Sequence, residues 1–314
     1  MNLIANEWMK IFKKASTYVM IGFLVIIIAG AGGLIKYIEA NEEQTSDNST
    51  DWKQALIEET EMLKTESAAY QSESGFYDRH IAINEYRLAN DIPPVDEMTA
   101  WSFVNEMVPL TNFIAIITIT LAAGIVASEF STGTIKLLLI RPVNRVKILL
   151  SKYVTVVIFS IGIVLFTLVV SWIVGALLFG FGDVGPHLSY ANGEVIERSQ
   201  LGNALFMYGI SSIGLFMLTT MAFMVSAAFR NSSLAIGISM FLLLMGSNIT
   251  AIIAMKFEWA KYSLFANTNL MAYFDGQPLF PDMTLGFSIA VLIVYFILFN
   301  LIAFLFFVKR DVRA

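Results

Sequence analysis

The fold class this sequence predicts is an all-α membrane protein with six transmembrane helices, on three observations: its composition, six apolar runs of bilayer length, and a lopsided distribution of charge. Of 314 residues, 57% are hydrophobic and 14% charged, whereas charged residues make up roughly a quarter of an average soluble domain. There is no cysteine, and the two histidines, His80 and His187, lie far apart in the chain. A disulfide framework is therefore excluded, and redox or zinc chemistry is a poor expectation.

A hydrocarbon core about 30 Å thick needs roughly 20 apolar residues in a helix that rises about 1.5 Å per residue. Residues 18–38, 109–127, 153–182, 203–229, 233–255 and 284–308 each meet that length. The third run is long enough to tilt or to project past the bilayer, and Gly175, Gly180 and Gly182 permit a bend there. The first run follows a lysine-bearing segment and is too long for a signal h-region, so it is expected to be a retained signal-anchor.

Lys and Arg that flank spans are held on the cytoplasmic side. The segments that six spans place on the side of the termini carry twelve basic residues against three acids, Glu7, Glu129 and Asp311. The other side carries eight basic and 22 acidic residues. This asymmetry predicts cytoplasmic N- and C-termini, with residues 309–314 as a short cytoplasmic tail.

Within residues 1–17, Leu3, Ile4, Trp8, Ile11, Phe12 and Ala15 fall along one helical stripe, while Glu7, Lys10, Lys13 and Lys14 occupy other faces. That pattern predicts an interfacial amphipathic helix, either a platform for a cytoplasmic partner or a plain anchor for the first span. Residues 39–108 form the largest soluble piece, acidic and expected outside the cell. Trp52, Leu56 and Leu63 recur at helical spacing, residues 49–51 offer caps, and Pro93-Pro94 must end the helix that runs through residues 81–88. A helical hairpin is expected, its charge serving as a solvated face or as a surface for a cationic substrate.

Residues 129–152 join the second and third spans and mix apolar residues with five bases. Gly133 permits a bend, Pro142 interrupts a helix, and residues 135–140 are too few to span anything. The expected shape is helix, elbow, helix at the inner surface, suited to docking a soluble protein or, more simply, to fixing topology by charge.

The pattern Glu129-x-x-x-Gly133-Thr134-x-Lys136-x-Leu138-Leu139-x-x-Pro142-x-x-Arg145-x-x-x-Leu149-x-x-Lys152 resembles the intracellular loop of the exporter-type (type-2) ABC transporter permeases. Ser226-Ala-Ala-Phe-Arg230-Asn231-Ser232, Asn267-x-Asn269-Leu270 and Phe307-Val-Lys-Arg-Asp311-Val are similar to the same family. The stretch from Ile83 to Pro94 resembles its bacterial branch related to bacitracin and lantibiotic export or immunity permeases. The resemblance implies a six-helix permease in a bacterial plasma membrane, paired with a second copy or a paralogue and with separate cytoplasmic ATPase subunits. It also implies a coupling role for Glu129, Gly133, Thr134, Lys136, Pro142 and Arg145, and an amphipathic or hydrophobic cargo such as an antimicrobial peptide. The chain holds no G-x-x-x-x-G-K-[ST] phosphate loop, so ATP and Mg would be bound by the partner, with no cofactor and no nucleic acid expected here.

A membrane-embedded enzyme or an ion-coupled carrier would need ionisable groups within the spans. The interiors of the spans offer Ser, Thr and amides such as Asn112, Asn248 and Asn300 instead, so catalysis is not expected. A subunit that relays a mechanical signal, or pulls a peptide from the bilayer without moving it across, stays open as the alternative. Trp172, Phe206 and Phe223 suit an apolar path, though aromatics in spans more often pack or sit at interfaces.

Overall fold

In hydrocarbon, every peptide group must find its hydrogen bond within the chain, so the apolar runs are forced into helices. The computed structural model describes residues 3–42, 52–69, 74–94, 98–134, 143–182, 185–191, 193–229, 231–274 and 278–309. Among the described residues six helices are long and apolar enough to cross a membrane, and the protein is a multi-pass membrane protein. In chain order the described elements are α1 (Leu3–Phe12), α2 (Ala15–Glu42), α3 (Trp52–Ala69), α4 (Ser74–Asn90), α5 (Ala100–Glu106), α6 (Thr111–Ser131) and α7 (Arg145–Leu178). They continue with β1 (His187–Ala191), β2 (Glu194–Arg198), α8 (Gln200–Ala228), α9 (Ser232–Ala254), the single turn α10 (Leu264–Asn267) and α11 (Leu285–Lys309).

The two most enclosed spans, α6 and α8, lie face to face at the centre of the bundle. Small and hydroxylated side chains allow this approach. Ser226 Oγ accepts the backbone N–H groups of Val126 and Ala127 at 3.1 and 3.0 Å, and Thr219 donates to Thr118 at 3.1 Å, all five residues being buried. Interhelical hydrogen bonds of this kind, added to close packing, hold spans together where lipid tails are as apolar as Leu. By contrast α2, α9 and α11 bury only 17% of their most apolar windows, which leaves their outer faces to lipid or to another chain.

The second span differs from its expected start at Pro109. It begins at Ala100 as α5, whose Ala100, Phe103 and Val104 are fully buried, breaks in a 3₁₀ turn at Val108–Leu110, and resumes as α6. Pro109 sits in the break because it lacks the N–H that a continuous helix needs there. Thr99 caps α5 by accepting from Ser102 N at 3.2 Å, and the Ala100 N–H donates to Gly180 O at 2.9 Å. Gly175 is a packing site rather than a bend, since a Cβ there would lie 3.0 Å from the Ala100 backbone. Lys36, near the end of α2, runs its ammonium to the Leu178 carbonyl at 2.6 Å and so caps the C-terminus of α7.

The insertion is the expected hairpin. α3 and α4 pack together with Leu56, Thr60, Tyr77 and Asn84 buried between elements, and Lys64 bridges to Glu85 at 2.6 Å. α4 ends at Asn90, where Asp91 takes a positive φ of 56° just before Pro93-Pro94. The antiparallel ribbon β1–β2, with His187 opposite Arg198, has no counterpart in the sequence expectation. It rests against α4, and the Tyr86 hydroxyl donates to Glu197 at 3.2 Å.

Candidate functional site

The end of the bundle nearest α1 holds a cluster of four charges, three of them buried and Lys10 exposed at its rim. Its scaffold follows from local sequence. Asn144 accepts the N–H of Val146 at 2.9 Å and starts α7 at Arg145, so Lys152 lies two turns inside that helix. Glu129 lies in the last turn of α6. Thr17 closes the elbow between α1 and α2 by donating to the Ile11 carbonyl at 2.7 Å, which swings α1 back onto α7. Trp8 and Phe12 then meet the Phe159 ring at 6.4 and 6.1 Å.

Lys152 is fully buried. Its ammonium donates to Glu129 Oε1 at 2.6 Å, Glu7 Oε2 at 2.8 Å and the Ile125 carbonyl at 3.4 Å. Lys10 closes the ring from the rim, donating to Glu7 Oε1 at 2.6 Å and Glu129 Oε1 at 3.1 Å. Two carboxylates and two ammoniums make the cluster neutral. Burial disfavours charge on Glu7, but Lys152 and Lys10 outweigh it and hold the carboxyl below its ordinary value of 4.5. Burial likewise opposes charge on Lys10, and the bonds and charges of Glu7 and Glu129 outweigh it, raising Lys10 above 10.5. Removing one partner from a buried pair costs about 3–5 kcal/mol, although the intact pair adds little over an apolar replacement. The cluster therefore fixes one arrangement of α1, α6 and α7 against all others.

Two sequence expectations change here. Glu7 does not sit on an outer face of α1; it points inward beside Ile11, at 6% exposure, because two ammoniums are there to receive it. The helices themselves run past the expected spans 109–127 and 153–182, and the buried Glu129 and Lys152 lie in those extensions, at the ends of α6 and α7 nearest the termini.

The loop residues singled out by resemblance divide into groups. Glu129 is in the cluster. Gly133 takes φ +72°, a left-handed conformation that turns the chain off the end of α6. The Thr134 hydroxyl lies 3.0 Å from that of Thr132 and 3.5 Å from the Glu129 carbonyl, stitching the same turn. Arg145 donates to the Val308 carbonyl at 3.3 Å and ties the start of α7 to the end of α11, where Phe307 meets the Phe130 ring at 6.3 Å. Lys136 and Pro142 lie outside the described residues. Glu7, Lys10 and Lys152 were missed as site residues, and the pairing of an acid in α1 with a base in α7 leaves no periodic signal.

Toward the insertion end, the break in the second span opens a cavity of about 560 Å³ between α5, α6, α8 and α9. Asn105, Glu106, Asn112, Ser211, Ser247 and Asn269, with Thr111 and Thr268, supply polar groups among apolar side chains. Irregular backbone within a span is tolerated where it lines such a cavity, because the freed backbone groups can find partners there. Asn267 stabilises the adjoining loop. Fully buried, it donates to the carbonyls of Lys261 and Ser263 at 2.8 and 2.7 Å and accepts from Ser288 of α11 at 2.6 Å.

Residues 71–313 match the family described as protein of unknown function DUF2705. The chain is 45% identical to the uncharacterized protein YhcI of Bacillus subtilis (strain 168) over 315 aligned residues, covering 99% of each protein. It is 38% identical to the uncharacterized membrane protein YdbK of the same organism over 200 residues, covering 63% of this chain and 77% of that protein. The chain belongs to the DUF2705 family.

Proposed function

We propose that this DUF2705 member is the membrane-spanning permease subunit of an ATP-binding-cassette exporter in a bacterial plasma membrane, with both termini cytoplasmic. The observation that carries the reading is the neutral ring of Glu7, Lys10, Glu129 and Lys152. An ATPase that pushes on the turn after α6 needs that turn to be rigidly joined to the helices it moves. The ring joins α1, α6 and α7 at the mouth of the loop 129–152, and Arg145 adds α11. A push there tilts spans instead of bending a connector.

Twelve basic residues on that side favour its cytoplasmic placement. In this reading ATP and Mg belong to separate subunits, in keeping with a sequence that carries no G-x-x-x-x-G-K-[ST] phosphate loop, and the lightly buried outer faces of α2, α9 and α11 leave room for a second copy or a paralogue. The half-polar cavity at the break of the second span suits an amphipathic cargo such as an antimicrobial peptide. No group in the reading performs chemistry on the cargo.

The test is purification of the tagged chain from native membranes. The reading expects a stoichiometric partner with a phosphate loop and vanadate-sensitive ATP hydrolysis that changes on adding lipid-active peptides. A preparation that contains no such ATPase, from membranes in which the chain is abundant, refutes it.

A further inference from the structure

A second cavity, of about 750 Å³, opens beside the charge cluster between the α1–α2 elbow, α6 and the start of α9. It is an elongated groove. Its lining on α6 runs from Ile117 to Glu129, which is about 18 Å of helix at about 1.5 Å per residue. That length covers one leaflet, half of a hydrocarbon core about 30 Å thick. The deep part is apolar, walled by Met20, Ile117, Leu121, Ile125 and Ile236, and the mouth is basic, with Lys13 and Lys14 on the elbow.

Two features of the mouth call for a ligand. Lys13 and Lys14 are exposed and make no side-chain ion pair with any described residue, whereas the neighbouring Lys10 is taken by Glu7 and Glu129. Glu129, at 8% exposure, is among the residues that line the groove, and its Oε2 is buried and accepts no hydrogen bond among the described residues. A ligand that satisfies both presents an anion to the lysines, a hydroxyl or ammonium donor to Glu129, and a long apolar tail to the groove.

We infer that this groove binds one anionic phospholipid of the leaflet on the side of the termini, with its phosphate at Lys13 and Lys14 and a headgroup donor at Glu129 Oε2. Basic pockets between spans on that side recognise lipid headgroups by this combination of charge and depth. The site goes beyond the exporter reading and requires only that the helices cross a bilayer. If that reading also holds, the lipid touches the carboxylate that anchors the coupling turn, and lipid composition adjusts coupling directly.

The experiment titrates the delipidated full-length protein in detergent with phosphatidylglycerol and with phosphatidylcholine, scored by native mass spectrometry. One phosphatidylglycerol per chain is expected to bind on the order of thirtyfold more tightly than phosphatidylcholine, from two lysines near an anionic headgroup. Lys13→Ala with Lys14→Ala should erase that preference. Ile236→Trp, which fills the groove from α9 and leaves both lysines in place, should block both lipids. If that variant fails to fold, Gly124→Phe, whose Cβ would meet nothing nearer than Ser232 Oγ at 3.9 Å, fills it from α6.

Equal affinity for the two lipids overturns the inference. So does an unchanged preference in the double lysine variant, or full displacement by free glycerophosphate, which would make the mouth a phosphate site only. A groove-filling variant that dissociates a dimer while retaining the bound lipid assigns the groove to a second copy of the chain and also overturns it. ATPase partners play no part in this measurement, so its failure is separate from failure of the exporter reading.

Discussion

Replacing Lys152 with Met tests whether the four-charge ring locks the N-terminal helix to the bundle. Met keeps most of the length and apolar volume of the lysine stem, so the change removes the ammonium while disturbing packing little. In its absence Glu7 and Glu129, at 6% and 8% exposure, share the single ammonium of Lys10, and the Ile125 carbonyl loses a donor. A buried charge left without its partner costs about 3–5 kcal/mol, and each 1.4 kcal/mol is a factor of ten in an equilibrium. Opening of α1 away from α7 should therefore become at least about a hundredfold more favourable. Amide exchange across residues 3–12 in detergent or nanodiscs reads this directly, because opening exposes those N–H groups while the rest of the bundle stays protected. Adding Glu129→Gln to Lys152→Met removes the surplus carboxylate and should restore much of the protection, since neutral replacement of a whole pair is far less costly than loss of one member. Unchanged exchange in Lys152→Met, or a double variant that loses the sum of both single effects, would show that hydrophobic contacts such as Trp8 with Phe159 hold α1 and that the ring is incidental.

Acidification offers a second test of the ring, since Glu7 has a folded pKa below its ordinary 4.5. The stability it contributes is fully present above about pH 4.5 and is lost as pH falls through the lower folded value, so protection of α1 should be flat from pH 7 to 5 and decline below. His187 is pushed below 6.5 by burial and then by Arg79, Arg198 and Arg87. By the same sign its contribution is present above pH 6.5 and lost on acidification through the folded value, so exchange in residues 187–198, corrected for intrinsic rate, should rise there, and His187→Asn should flatten the response. Gly133→Val forces a β-branched side chain to φ +72°, a cost of about 1–2 kcal/mol or more; on the exporter reading it lowers ATP-driven transport while membrane insertion stays normal, as scored in inverted vesicles. Asn267→Leu leaves the carbonyls of Lys261 and Ser263 without their donor and should lower stability by about 2–4 kcal/mol, visible as an earlier thermal midpoint by size-exclusion.

The spans were legible because the bilayer imposes a length and an apolar composition that few other structures share. Residues 233–255 and 284–308, expected from hydropathy, fall within a residue of Ser232–Ala254 and Leu285–Val308. The second span was misplaced at its start for a physical reason. α5 contains Ser102, Asn105 and Glu106, which lower its hydropathy, and its burial comes from a tertiary contact, the backbone of Ala100 against Gly175. The β1–β2 ribbon escaped notice for a related reason. Its strands are only five residues long, β2 carries three charges, and the ribbon packs on α4.

The loop was recognisable as a unit, yet what braces it was not, and the difference lies in how each is encoded. Glu129, Gly133 and Thr134 act within one turn of chain, so their spacing is a local signature. The ring instead joins residues separated by 145 positions, Glu7 to Lys152, and by 119, Lys10 to Glu129. From sequence alone, Glu7 and Lys10 read as solvated charges of an amphipathic helix, and Lys152 as a topology-setting base at a membrane boundary. Each of those readings expects the charge to seek water. Only the docking of α1 on α7 removes the water, and it does so where two acids and two bases meet in equal number. A buried charge is tolerable under that balance alone. The balance also predicts how this site can vary: a neutral residue replacing Lys152 in a related chain should be accompanied by loss of the acid at position 7 or 129, and a chain keeping both acids beside an apolar residue at 152 would show that α1 docks elsewhere.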